Sequence, residues 1–208
     1  MEKLHKDLDP QQFQSLPQVI DYIVKEHGGL PAFSCFGKTL SYSEVDVLSS
    51  RFANYLKHET ELNAGVPIAI QLPNILQFPI VLYGALKAGI VVVNTNPLYT
   101  ANEMLHQFKD SRVKAVVILA NFCDKLEKII DQTEIETIIV TELGDLQSPA
   151  KRFLINNIAK YVRKMVPKYH LPSAESFVNV MQSLPSFVQN PKSGAGDEVA
   201  LLLYTGGT

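Results

Sequence analysis

The final five residues, Tyr204-Thr205-Gly206-Gly207-Thr208, set two glycines between two threonines directly after the apolar residues Val199, Ala200, Leu201, Leu202 and Leu203. Adjacent glycines lack the Cβ that keeps backbone N–H groups away from phosphate oxygens, and threonine hydroxyls add hydrogen bonds to the same oxygens. A buried strand running into such a turn suits the capture and orientation of a polyphosphate. A Gly-Gly pair also closes ordinary turns, so the elements upstream decide between the two readings. Cys35 and Cys123 stand far apart with no C-x-x-C pair, and the five histidines show no metal-ligand spacing. Reduced thiols are expected, and no metal ligands.

A phosphate-holding turn needs a rigid frame, and the chain reads as alternating strands and helices. Residues 31–41 carry apolar Ala32, Phe33, Cys35 and Phe36, then Gly37-Lys38, then Thr39-Leu40, which predicts a hairpin. Ser41 followed by Glu44 has capping-box spacing, and Val45, Leu48, Phe52 and Leu56 repeat as one helical face ending near His58. Residues 66–72 predict a strand, Pro73-Asn74 a turn, and 75–87 a helix apolar on nearly all sides that Gly89 ends. Residues 90–93 predict a strand too apolar to have a wet face. Thr100 or Asn102 caps a helix through Lys109, followed by a strand at 115–119, a helix at 123–131 and a strand at 137–140. This alternation predicts the α/β class: a doubly wound, mostly parallel sheet with helices on both faces, preceded by a short N-terminal β-hairpin. Ligands of such sheets collect beyond the C-terminal strand ends, where Gly206 and Gly207 would sit.

The expected organisation is an N-terminal arm and first helix at 1–30, an α/β subdomain at 31–141, a peripheral region at 142–196, and the last strand with the start of the loop at 197–208. Gly144 and Pro149, Pro167, Pro172, Pro185 and Pro191 punctuate the peripheral region. Among 208 residues, a hydrophobic content of 46% and a net charge of -2 fit a soluble globular protein with no nucleic acid partner. Residues 1–12 are polar, with Lys3, Asp7 and Asp9, and lack the apolar stretch of a secretory signal. Gln77, Pro79, Gly84, Lys87 and Gly89 interrupt the most apolar stretch, so it makes no membrane span, and a cytoplasmic location is expected. A loop cut midway marks a piece of a longer polypeptide, whose uncovered apolar surface would favour self-association.

Residues 151–166, placed at about 100° per residue, separate into two faces. Leu154, Ile155, Ile158, Tyr161, Val162, Met165 and Val166 share one; Arg152, Asn156, Lys160, Arg163 and Lys164 share the other, with Phe153 intruding. Lys151 opens the segment, Lys168 follows it, and no acidic residue lies between them. A cationic amphipathic helix can lie in an anionic bilayer interface, here the inner face of the cytoplasmic membrane. It can equally cover the core as a surface helix. Both readings stand at this point.

Taken together, Leu72-Pro73-Asn74, then Tyr83-Gly84-Ala85-Leu86-Lys87-Ala88-Gly89, then Asn94-Thr95-Asn96-Pro97-Leu98-Tyr99-Thr100 with Glu103, and finally Tyr204-Thr205-Gly206-Gly207-Thr208 follow an order that resembles the adenylate-forming enzymes. Lys160-Tyr161, Val166-Pro167-Lys168-Tyr169-His170-Leu171-Pro172 and a glycine at 206 are similar to one branch, the bacterial long-chain fatty acid CoA ligases. The resemblance runs from about Phe13 onward. It implies activation of a long-chain fatty acid by ATP as an acyl-adenylate and transfer of the acyl group to coenzyme A, with magnesium. It also implies that Thr205, Gly206, Gly207 and Thr208 hold the ATP phosphates while Tyr204 anchors their loop. The rest of the loop with its lysine, and a mobile C-terminal domain with the catalytic lysine, belong to segments beyond Thr208. No catalytic residue is therefore named in this chain, and the piece alone is expected to be inactive.

Other adenylate-forming enzymes, such as aryl or medium-chain CoA ligases, share the general loop. A non-catalytic α/β module that docks on membranes or another protein is the alternative of a different class. His106 and Lys109 read as a solvated helix face, as do Asp124, Glu127 and Asp131 alternating with Lys125 and Lys128. Cys123 reads as a small buried hydrophobe. Asn94, Asn96, Pro97 and Glu103 are expected to shape a loop and cap a helix.

Overall fold

Strand residues alternate strictly between two cores, which places helices on both sides of one sheet. The computed structural model describes residues 13, 15–183 and 199–204. A two-stranded hairpin, β1 (Pro31–Cys35) and β2 (Lys38–Ser41), precedes a six-stranded sheet. That sheet contains β3 (Pro67–Gln71), β4 (Val91–Asn94), β5 (Ala115–Leu119), β6 (Thr137–Thr141), β7 (Ala174–Ser176) and β8 (Leu201–Leu203) in the order β7-β6-β5-β3-β4-β8, with every neighbour parallel. Ile68, Ile70, Val92, Val117 and Ile139 face one core; Ala69, Val93, Val116, Ile118 and Ile138 face the other. A parallel sheet wrapped this way has no wet face, so β-branched residues fill its inner strands.

Helices α1 (Leu16–His27), α2 (Tyr42–His58), α3 (Gln77–Lys87), α4 (Ala101–Asp110), α5 (Cys123–Glu127), α6 (Pro149–Asn157) and α7 (Phe177–Ser183) complete the described chain. Phe52 and Leu56 of α2, Ile80 and Ala85 of α3, and Phe177 of α7 fill the first core. Met104 and Phe108 of α4 and Cys123 and Leu126 of α5 fill the second. The capping box expected from Ser41 and Glu44 forms, and the structure adds a second at Thr100: Ser41 Oγ accepts from the Glu44 N–H, and Thr100 Oγ1 from the Glu103 N–H, while each glutamate reaches back to the cap backbone. Thr100, not Asn102, caps α4.

Close approach of α2 and α3 depends on Gly84. A Cβ built there would lie 2.7 Å from the Ser49 carbonyl oxygen and 2.8 Å from Phe52 Cδ1. Gly84→Ala should therefore destabilise the protein by about 1–3 kcal/mol, since overpacking outweighs the better helix propensity of alanine. A urea midpoint equal to that of the parent would contradict this packing.

Four sequence expectations are corrected in detail. The hairpin turn is Phe36-Gly37, both at positive φ (50° and 72°), so Lys38 already belongs to β2. The helix expected over 123–131 ends at Glu127 and gives way to a 3-10 turn at Ile130–Gln132, because only Cys123, Leu126 and Ile129 of this stretch bury fully. The last strand is not fully buried. Among the described residues β8 pairs with β4 alone, and Leu203 stays largely exposed. The helix expected over 151–166 begins at Pro149, ends as an α-helix at Asn157 and continues as a π-helical turn at Ile158–Val162. Lys164 then turns left-handed at φ 52°.

That segment is seated on the body by its polar side. Asn156 Nδ2 donates to Glu142 Oε2 at 2.8 Å and to Asp145 Oδ1 at 3.3 Å, and its Oδ1 accepts from the Gly144 N–H at 2.8 Å. A Cβ at Gly144 would meet Asn156 Oδ1 at 2.7 Å and Arg152 Cα at 3.1 Å, so the helix crosses where no side chain intervenes. Burial raises the carboxyl pKa of Glu142, as does the charge of Asp145; burial also raises that of Asp145. Ala159 is buried, whereas Phe153, Leu154, Ile158, Tyr161, Val162 and Met165 face outward.

Candidate functional site at the C-terminal edge of the sheet

Chain order reverses between β3 and β5: from β3 the path steps to β4 on one side, then returns to β5 on the other. Crevices for ligands open at such switch points, outside the C-terminal strand ends. Gln71 closes β3 opposite Ile118, Asn94 closes β4 opposite Leu203, and Tyr204 leaves β8 beside Asn94. Tyr204, which opens the motif singled out by sequence, therefore stands at the C-terminal edge of the sheet. Thr205, Gly206, Gly207 and Thr208 themselves lie outside the described residues.

Tyr204 is the one predicted site residue whose surroundings are described. Its hydroxyl donates to Asp110 Oδ2 at the end of α4, and its ring packs with the second core. Partial burial, then the hydrogen bond and negative charge of Asp110, raise its pKa, which keeps the phenol a donor.

The loop after β4 is held from within. Asn96 Oδ1 accepts from the Leu98 N–H at 2.9 Å, Thr100 and Glu103 form the cap, and Lys125 Nζ donates to the Tyr99 carbonyl at 2.7 Å. Asn96 and Glu103 thus shape loop and helix as expected. His106 and Lys109 are exposed. Cys123 is fully buried, and burial, with the charge of Asp124, pushes its thiol up to about 12, which rules out a ready nucleophile at neutral pH.

Sequence reasoning passed over Gln71 and Gln107 at this edge and read Asn94 only as a loop-shaping residue. Gln71 is buried with neither Nε2 nor Oε1 paired among the described residues; Asn94 Oδ1 and Gln107 Oε1 are likewise buried and unpaired. Gln107 Nε2 donates to the Asn94 carbonyl at 3.1 Å, joining α4 to the end of β4. A polar residue at the last position of an otherwise apolar strand, as in Ile68-Ala69-Ile70-Gln71, was the available signal. Among the described residues no group of three or more His, Cys, Asp or Glu side chains is placed to hold a metal ion.

A doubly wound parallel sheet with its switch point and polar strand ends on one edge defines an α/β protein of the ligand-binding kind. More particularly, the chain belongs to the AMP-binding enzyme family, which matches residues 20–208. It is 37% identical over 202 residues to a long-chain-fatty-acid–CoA ligase of Salmonella typhimurium, covering 97% of this chain and 36% of that protein. A ligase of the same description from Haemophilus influenzae is 40% identical over 204 residues, covering 98% and 36%. The chain thus spans about a third of the length of these relatives. Among solved structures, an anthranilate CoA ligase, AuaEII, in complex with anthranoyl-AMP superposes with a TM-score of 0.73 at 14% identity, covering 92% of this chain and 32% of that one. A long-chain-fatty-acid-CoA ligase from Archaeoglobus fulgidus gives 0.69 at 20%, covering 93% and 35%. At these identities the superpositions establish the shared fold.

Proposed function

We propose that this chain is the N-terminal part of an ATP-dependent ligase that activates long-chain fatty acids as acyl-adenylates and passes them to coenzyme A. The observation that carries this reading is identity of 37–40% across nearly the whole chain to bacterial ligases of that description. In the first step a carboxylate oxygen bonds to the α-phosphorus of ATP while the bond to the leaving pyrophosphate breaks. In the second the coenzyme A sulfur bonds to the acyl carbon and AMP departs.

A carboxylate is a poor electrophile, so the adenylate supplies the leaving group that thioester formation needs. The protein's task is to hold the phosphates in line and neutralise the charge that develops on them. Backbone amides of Gly206 and Gly207 and the hydroxyls of Thr205 and Thr208 take that role, and Tyr204 holds the root of their loop to Asp110. Magnesium in such reactions is held by one or two carboxylates together with the ATP phosphates. Residues for magnesium, coenzyme A and the acyl chain are assigned to other parts of the protein.

The setting proposed is the cytoplasm with peripheral contact at the inner membrane face through 151–168, where fatty acids partition. Among the described residues no helix is long and apolar enough to cross a membrane. The outer edge of β8, unpaired among the described residues, adds a route to self-association of the isolated piece.

The intact protein should exchange pyrophosphate into ATP only when a long-chain fatty acid is present. The purified 208-residue piece should form no palmitoyl-CoA. Exchange that ignores fatty acid, or thioester made by the piece alone, would overturn the assignment.

A further inference from the structure

On a straight helix of about 100° per residue, Phe153 and Val162 would stand on opposite sides. Each is 71% exposed. The π-helical turn at Ile158–Val162 adds a residue to that turn and rotates everything after it relative to α6, so the straight wheel no longer describes the surface. The docked side holds Asn156 and the backbone beneath Arg152 with only the small Ala159 fully buried and Ile155 half-buried beside them, and outward go Phe153, Leu154, Ile158, Tyr161, Val162 and Met165. An amphipathic helix that merely covered a core would be seated the other way round.

Cations border this outward apolar surface. Lys151, Lys160, Arg163, Lys164 and Lys168 are all exposed, and Lys160 Nζ lies 5.6 Å from the Tyr161 ring centroid. No acidic residue occurs from Lys151 to Lys168 to balance them. A second copy laid face to face would bring these like charges together. Nucleic acid would answer the charge but leave the aliphatic side chains in water.

We infer that Phe153, Leu154, Ile158, Tyr161, Val162 and Met165 form the surface that enters an anionic phospholipid bilayer, with the bordering lysines and arginine at the head groups. This rests on the peripheral-membrane reading and replaces the face drawn from the sequence. Phe153 joins the inserting set, while Ile155 and Val166, both half-buried, leave it. Asn156, clasped by Glu142, Gly144 and Asp145, holds the segment as a preformed element that needs no folding at the membrane. The apolar side chains reach roughly 5–10 Å into the interface, and attraction of the cations adds to their burial.

Flotation of the intact protein with phosphatidylglycerol vesicles and with phosphatidylcholine vesicles tests this. The parent should partition about tenfold or more in favour of the anionic vesicles, and that preference should shrink at about 1 M salt. The double variant Phe153→Ser/Val162→Ser should lose about tenfold in partitioning while keeping its thermal midpoint. No preference for anionic vesicles by the parent would overturn both this inference and the membrane reading beneath it. Undiminished binding by the double variant would overturn this face and leave the membrane reading standing. A fall of several degrees in the double variant's midpoint would show the face covered by protein, which also overturns the inference.

Discussion

Lys87→Ala should lower the unfolding free energy by about 3 kcal/mol, the lower end for removing one member of a buried ion pair. Lys87 is 1% exposed, and its ammonium donates to the carbonyl and Oδ1 of Asp46, to Ser49 Oγ at 2.9 Å and to Ser50 Oγ at 3.0 Å. All four acceptors lie on α2, so one cation from the last turn of α3 stitches the two helices together. Removing it takes a donor from two buried hydroxyls, although Ser49 Oγ still donates to the Asp46 carbonyl at 3.0 Å, and leaves a cavity along the lysine stem. The Asp46 side chain is about one-third exposed, so water reaches its carboxylate and keeps the loss from climbing higher. Lys87→Met, which keeps the stem, should recover part of the packing. Urea denaturation of the three proteins separates charge from volume, and a loss below about 1 kcal/mol for the alanine variant would show that the pair is not structural.

Phe52→Ala should cost about 3–5 kcal/mol, the range for deleting a buried aromatic ring. Phe52 is wholly buried, its ring centroid lies 6.3 Å from that of Phe177 in a tilted arrangement, and its other side meets the backbone at Gly84. It thus joins α2, α3 and α7 over one face of the sheet. Collapse into the hole is resisted because Gly84 has no side chain to move. Phe52→Leu should cost less than half as much, and combining it with Gly84→Ala should give a loss smaller than the sum, since the smaller residue relieves the clash. A strictly additive pair, or an alanine variant within 1 kcal/mol of the parent, would refute this three-helix junction.

Most of the α/β frame was legible because local and tertiary signals agreed. The run Ala115-Val116-Val117-Ile118-Leu119 is apolar on both faces, and it forms an inner strand buried on both faces. The capping box at Ser41 was legible, and Thr100 was one of two candidate caps, because such hydrogen bonds close within four residues. Strand β7, three residues with exposed Glu175 and Ser176, was not read at all. Its place beside β6 is set by pairing from Ile138↔Ala174 to Val140↔Ser176 and not by its own composition. The orientation of the basic segment escaped for a similar reason. A helical wheel records which residues share a side, whereas the side that docks was decided by Asn156 meeting Glu142, Gly144 and Asp145. At the candidate site the motif with Asn94 could be read, whereas Gln71, marked only by its place at the end of an apolar strand, and Gln107 went unread, because isolated amides carry no periodic signal.

Pairing of β8 with β4 also bears on the order in which the chain acquires its shape. Leu201 meets Val92 across about 110 positions of sequence, against about 24 for Ile68 and Val92, so closing that contact costs about 1 kcal/mol more in chain entropy. During synthesis the four inner strands can assemble on the ribosome while the flank of β4 waits unzipped. The outer flank of β4 is then covered only when the final strand docks, which makes that flank of the sheet a late product of folding and the inner strands an early one.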